Sequence, residues 1–154
     1  MAGRQTKKEV SQGKCALCGE AFSKTVMAKH LASCKQEGGS APTSAGRAPK
    51  STKTFLLKVE GRFQPEYWMF LEAPATATLL NLDGFLRSTW LECCGHLSAF
   101  TIGDKTYAPD AGADFREFDD ESMEIPLADV LTPGLKFRHD YDFGSTTELM
   151  LQVL

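Results

Sequence analysis

Long hydrophobic runs are missing from this chain of 154 residues. No stretch is apolar over the ~20 residues that a helix needs to cross a bilayer core, so a membrane partner is not expected. Met1 to Val10 is polar, which predicts no secretory signal. The chain has only five cysteines, in a spacing that suits metal better than a disulfide framework, and this predicts a reducing, intracellular (cytoplasmic) setting. Phosphate-binding loops, dinucleotide fingerprints and serine nucleophile elbows are absent. Asp142-Phe143-Gly144 spells the magnesium motif of kinases, but no glycine-rich loop, strand lysine or His-Arg-Asp loop accompanies it.

Acidic residues are scarce at the start of the chain. Residues 1–54 hold ten Lys or Arg against three acids, and the remaining residues hold seven against seventeen. A basic arm joined to an acidic body implies two units with different partners. The basic unit suits nucleic acid or another anionic surface. The same split would also let the two units attract one another, or simply keep the arm soluble.

The arm contains the sharpest motif. Cys15 and Cys18 are followed by His30 and Cys34, a C-x2-C-x11-H-x3-C spacing. Three thiolates and an imidazole complete a tetrahedral zinc set and leave no open position for water, so the chemistry is structural. Gly19 lets the backbone turn after the first pair, and a helix would put His30 and Cys34 on one face. Phe22 and Met27 fall where a small finger keeps its minimal core. So short a segment has too little apolar surface to fold without a staple. The segment resembles C2HC-type zinc fingers over about residues 13–36.

Residues 1–12 read as a disordered basic tail, 13–36 as the finger, 37–53 as a flexible linker and 54–154 as the body. The finger helix is expected from Ser23 to about Ser33, with Val26, Met27, His30 and Cys34 on one face. The finger is expected to move freely relative to the body. Lys7, Lys8, Lys14, Lys24, Lys29 and Lys35 are the candidate phosphate contacts. The outer helix face lacks the Arg, Asn and Gln set that reads base edges, so sequence-specific readout is not expected.

In the body, Phe55–Phe63 reads as a strand ended by Pro65, and Trp68–Leu71 as a second strand or a buried loop stopped by Pro74. Thr78 is a candidate N-cap for the longest helix, expected over 79–93 from Leu79, Leu82, Leu86 and Trp90, with Phe85 and Leu91 widening the stripe. Gly84 inside it predicts a close approach to a strand. His96–Ile102 and Thr106-Tyr107 form a hairpin about Gly103-Asp104. Residues 110–124 read as a charged loop without calcium-loop spacing. Residues 126–131 read as a short helix or turn. Leu135–Gly144 alternates and pairs with Glu148–Leu154.

The run Thr78-Leu79-x2-Leu82-x2-Phe85-Leu86 with Trp90, the His96-Leu97-x2-Phe100-x-Ile102 step with Tyr107, and Tyr141-Asp142-Phe143-Gly144 before a last strand carry a resemblance. Together they resemble the plasmid pRiA4b ORF-3-like family, also described as IS1096 passenger TnpR-like proteins, over about residues 54–154. The resemblance implies an α+β fold, an antiparallel sheet packed by one long helix, and a link to mobile elements. It implies no defined activity. Ser145-Thr146-Thr147 stands where family members usually carry an aromatic. The stop at Leu154 inside an apolar strand predicts a shortened form or a partner-supplied strand.

Within the body, His96, His139, Asp140, Asp142 and the Cys93-Cys94 pair are the groups with chemical potential. The helix dipole disfavours a thiolate at Cys93 or Cys94, so both read as small buried side chains. His139 alternates with core aromatics and reads as a satisfied sheet histidine. Two functions follow. One is a non-enzymatic adaptor whose zinc finger meets nucleic acid or protein and whose body binds a protein, itself included. The other is a metal-dependent hydrolase or nuclease-like enzyme, which requires Asp140, Asp142 and a histidine to converge.

Overall fold

The computed structural model describes residues 10–34, 53–91, 95–109 and 120–154. The finger is a two-stranded antiparallel ribbon and a helix: β1 (Gln12–Lys14), β2 (Ala21–Ser23) and α1 (Lys24–Leu31). Gly19 turns the knuckle with φ at 81°, a conformation that glycine adopts without steric cost.

The rest is mixed α and β around one seven-stranded sheet. Its strands are β3 (Thr54–Gly61), β4 (Trp68–Pro74), β5 (Ser98–Ile102), β6 (Lys105–Ala108), β7 (Glu121–Ser122), β8 (Lys136–Tyr141) and β9 (Thr147–Val153). The spatial order is β4-β3-β9-β8-β5-β6-β7, antiparallel throughout except for β6 with β7. Period-two alternation sends Phe55, Leu57 and Val59 to one face, joined there by Phe137, Leu149 and Leu151. Helix α2 (Leu79–Leu86) covers this face with Leu79, Leu82 and Leu86, and α3 (Leu127–Val130) adds Leu127. Burying each of these large side chains contributes roughly 1.5–3 kcal/mol.

Thr78 caps α2 as its residue type suggests. Its hydroxyl accepts the Asn81 N–H at 3.1 Å, and the Asn81 side chain accepts the Thr78 N–H at 3.0 Å. The long helix expected over 79–93 is not a single α-helix. The α form ends at Leu86, and Arg87–Leu91 continues as a π turn. The wider turn breaks the 3.6-residue stripe, and Trp90 and Phe85 are exposed. Gly84 makes no close approach, since a Cβ there would meet nothing within 4 Å. Part of the expected charged loop is strand: Glu121-Ser122 pairs with Tyr107-Ala108. The loop's residues 110–119, and Cys93-Cys94, lie outside the described residues.

The closing strand β9 lies between β3 and β8, so both of its edges are occupied. The expectation of a partner-supplied strand beside it is therefore corrected. No described helix is long and apolar enough to cross a membrane.

Candidate metal centre

The knuckle between β1 and β2 supplies Cys15 and Cys18. The Gly19 N–H donates to the Cys15 carbonyl at 2.8 Å, and the Cys15 N–H donates to the Glu20 carbonyl at 2.8 Å, which closes the loop. Helix α1 supplies His30. Cys34 follows one turn later, its N–H donating to the His30 carbonyl at 2.7 Å. Ser23 stands at the N-cap position of α1 with extended backbone but makes no capping hydrogen bond through its side chain. Met27 is buried and the Phe22 ring stacks on His30 at 4.2 Å, forming the minimal core. Val26, expected on the same face, is exposed.

These elements bring one ligand atom from each of Cys15, Cys18, His30 and Cys34 to within 4.8 Å of one another. Sulfur ligands at ~2.3 Å around a tetrahedral ion lie roughly 3.8 Å apart, so the cluster needs little adjustment to close. The three cysteines are free thiols, and Cys18 Sγ lies 3.3 Å from His30 Nε2. The Cys15 thiol is pulled down to about 6, first by hydrogen bonding from the Cys18 backbone. Burial, then the neighbouring Cys15 sulfur, pushes Cys34 up to about 11. The opposite tendencies of Cys15 and Cys34 are what a cation reconciles, because it favours every thiolate at once. The donor set therefore fits a metal ion of zinc character.

The finger rests on the sheet. The Trp68 ring lies against Gly13 so closely that a Cβ there would be 2.6 Å from Trp68 Cη2. Trp68 Nε1 donates to Ser11 Oγ at 2.8 Å, and Lys24 Nζ reaches Glu60 Oε2 and the Pro65 carbonyl, both at 2.8 Å. These contacts join the finger's described residues to β3 and β4, where the linker's composition predicts a freely moving finger. Lys24 is spent on this contact rather than held out for phosphate. Lys14 and Lys29 are exposed, and Lys7, Lys8 and Lys35 lie outside the described residues.

Among the described residues, only His96 and Asp142 of the body's candidate groups approach one another, and the acids and histidines of the body do not gather into one site. His139 is fully buried on the α2 side, its Nε2 2.7 Å from Asp83 Oδ1, while its Nδ1 has no hydrogen-bond partner. Asp140 points to the other face, paired with Arg138 at 2.9 Å, and burial raises its pKa despite that arginine. Asp142 sits beyond the strand at φ 59°, its Oδ1 accepting the Gly144 N–H at 3.0 Å and lying 3.6 Å from His96 Nδ1. The contacts of Asp83, Trp68 and Gly13 are not among the sequence-based expectations. For Asp83 a signal existed: an acid four residues after Leu79 and between Leu82 and Leu86 belongs to the buried face.

No protein-family model and no curated protein matches the chain. Among solved structures, the fold of part of this chain is similar to the crystal structure of MM3350, a protein of unknown function from Methanosarcina mazei Go1. The TM-score is 0.57 at 19% identity over 66% of this chain and 59% of that one. The likeness extends to the fold alone, and the chain spans less than two thirds of that neighbour's length.

Proposed function

We propose that the protein is a zinc-organised adaptor without catalytic chemistry of its own. Cys15, Cys18, His30 and Cys34 hold one Zn2+ ion, which supplies folding energy and no reactive position. The single observation that carries this reading is the convergence of those four ligand atoms within 4.8 Å. The basic unit, through Lys14, Lys29 and the sequence-flanking Lys7, Lys8 and Lys35, contacts nucleic acid or a protein. The acidic body binds a protein partner or a second copy. The body is read as a pRiA4b ORF-3-like domain on the residues given above, in a reducing intracellular setting that suits zinc thiolates. Asp140, Asp142 and a histidine do not gather into a three-ligand group among the described residues, His96 alone standing near Asp142, which favours this reading over a metal-dependent hydrolase or nuclease.

The experiment is metal analysis of the purified full chain with a chelator control, joined to mobility shifts with single- and double-stranded nucleic acid. One zinc per chain, lost on Cys18→Ser with Cys34→Ser, is expected. Salt-sensitive binding is expected from phosphate contacts. No zinc uptake removes the adaptor's foundation. Absent binding at low salt removes its nucleic-acid half.

A further inference from the structure

Strand β4 ends the sheet, and the phase of its backbone can be read from the bonds that flank it. The Gly61 N–H donates to the Tyr67 carbonyl at 3.0 Å, and the Ala75 N–H donates to the Lys53 carbonyl at 2.8 Å. In the same register Val59 faces Met69, Leu57 faces Leu71 and Phe55 faces Ala73. Antiparallel ladders alternate bonded and non-bonded pairs, so these odd-numbered residues of β4 bond to β3. Trp68, Phe70 and Glu72 therefore aim their N–H and C=O groups outward. No described strand pairs with them there.

The free edge runs between two apolar clefts. On one side of the sheet a groove of about 400 Å³ separates Leu17 and Leu31 of the finger from Trp68, Phe70 and Glu72. On the other a cleft of about 190 Å³ is lined by Leu71, Ala73, Leu82 and Phe85. Edge strands are usually blunted by lysine, by a bulge or by a covering element. Between Trp68 and Glu72, β4 carries no lysine and no proline. Pro74, which has no N–H, ends the strand.

We infer that this edge is a docking site for an extended segment of a partner protein, added to the sheet beside β4. Its backbone bonds to Trp68, Phe70 and Glu72. Successive side chains point to opposite faces of a sheet, so two adjacent apolar residues fill the two clefts, one each. Glu72 is the charged residue of β4 and lines both clefts, so the segment carries a lysine or arginine opposite it. The inference rests on the zinc-adaptor reading, because the ordered finger is one wall of the larger groove.

The test uses the zinc-loaded full chain and a fluorescein-labelled peptide, Ser-Lys-Val-Ile-Val-Thr-Lys-Ser, followed by anisotropy. Saturable binding is expected. Phe70→Pro deletes one outward N–H and spares the bonds to β3; it should weaken binding about tenfold or more, from lost backbone bonding and lost apolar contact. Glu72→Lys should also weaken it, with rescue by the peptide carrying Glu in place of both Lys. Circular dichroism confirms that each variant is folded, and Glu72→Lys decides the matter if Phe70→Pro is not. No saturable binding with one zinc per chain overturns this inference alone. Unchanged affinity in the folded variants does the same. A zinc-free chain overturns the adaptor reading and, with it, the groove's finger wall. Self-association in sedimentation, abolished by Phe70→Pro, places a second copy on the edge and overturns the partner-protein assignment.

Discussion

Gly13 and Trp68 touch where the finger meets the sheet, and the contact exists because position 13 has no side chain. Any Cβ there would press on a rigid indole at 2.6 Å. Gly13→Val is therefore expected to cost about 1–3 kcal/mol of stability or to lift the finger from β4. In a Trp90→Phe background Trp68 is the only tryptophan, and its emission should shift to the red. An unchanged spectrum and melting curve would contradict the packing described.

Metal removal should be felt at the same ring. Ser11 and Gly13 lie within four residues of Cys15, so loosening the knuckle loosens the seat of Trp68. Chelation in the Trp90→Phe background should red-shift the emission, and added zinc should restore it. The melting transition of the seven-stranded sheet should move much less than that of the finger, because the hydrophobic core contains no metal ligand.

Asp83 and His139 are each at most 2% exposed, and they bind one another across the α2–sheet interface. Arg87 stands 3.6 Å from the second Asp83 oxygen. Removing one partner strands the other inside the core. Asp83→Ala is expected to destabilise by about 3–5 kcal/mol, measured by urea unfolding. The double replacement Asp83→Leu with His139→Phe should recover part of that loss, and no recovery would argue against a simple buried pair.

Finger docking should weaken in acid. Burial opposes ionisation of Glu60, but the Lys24 hydrogen bond and the Lys58 charge outweigh it and hold the carboxyl below its ordinary value of 4.5. A depressed carboxylate stabilises fully above that ordinary value, and the contribution is lost as pH falls through the lowered one. Glu60→Gln should flatten this part of the Trp68 emission profile, with zinc release followed separately by a metal-sensitive dye.

Thr78→Ala should remove the hydroxyl half of the cap at α2, leave the Asn81 side chain on the backbone N–H of residue 78, and cost about 1 kcal/mol in thermal or urea unfolding.

Features set by neighbours in sequence were legible before any coordinates. The ligand spacing about Cys15 and His30, the Thr78 cap and the Gly103-Asp104 hairpin each depend on a few consecutive residues. The Leu135–Gly144 alternation located β8, although Phe143 is exposed beyond the strand's end. Contacts across the chain were not legible. Trp68 finds Ser11 over 57 residues, and His139 finds Asp83 over 56. The π turn from Arg87 to Leu91 escaped for another reason: Leu82, Leu86 and Trp90 fit an unbroken helical stripe, and periodicity does not report a local change of winding.

The placement of β9 also bears on how the protein is made. β3 and β4 can pair early in synthesis, as can the group β5, β6 and β8, but within the sheet the two groups are joined by β9. A ribosome releases β9 after the other strands, so before Thr147–Val153 emerges the inner edges of β3 and β8 lack the strand that pairs with them. Those edges, rich in Leu57, Val59 and Phe137, are where a chaperone has most to shield and where premature release invites misassembly.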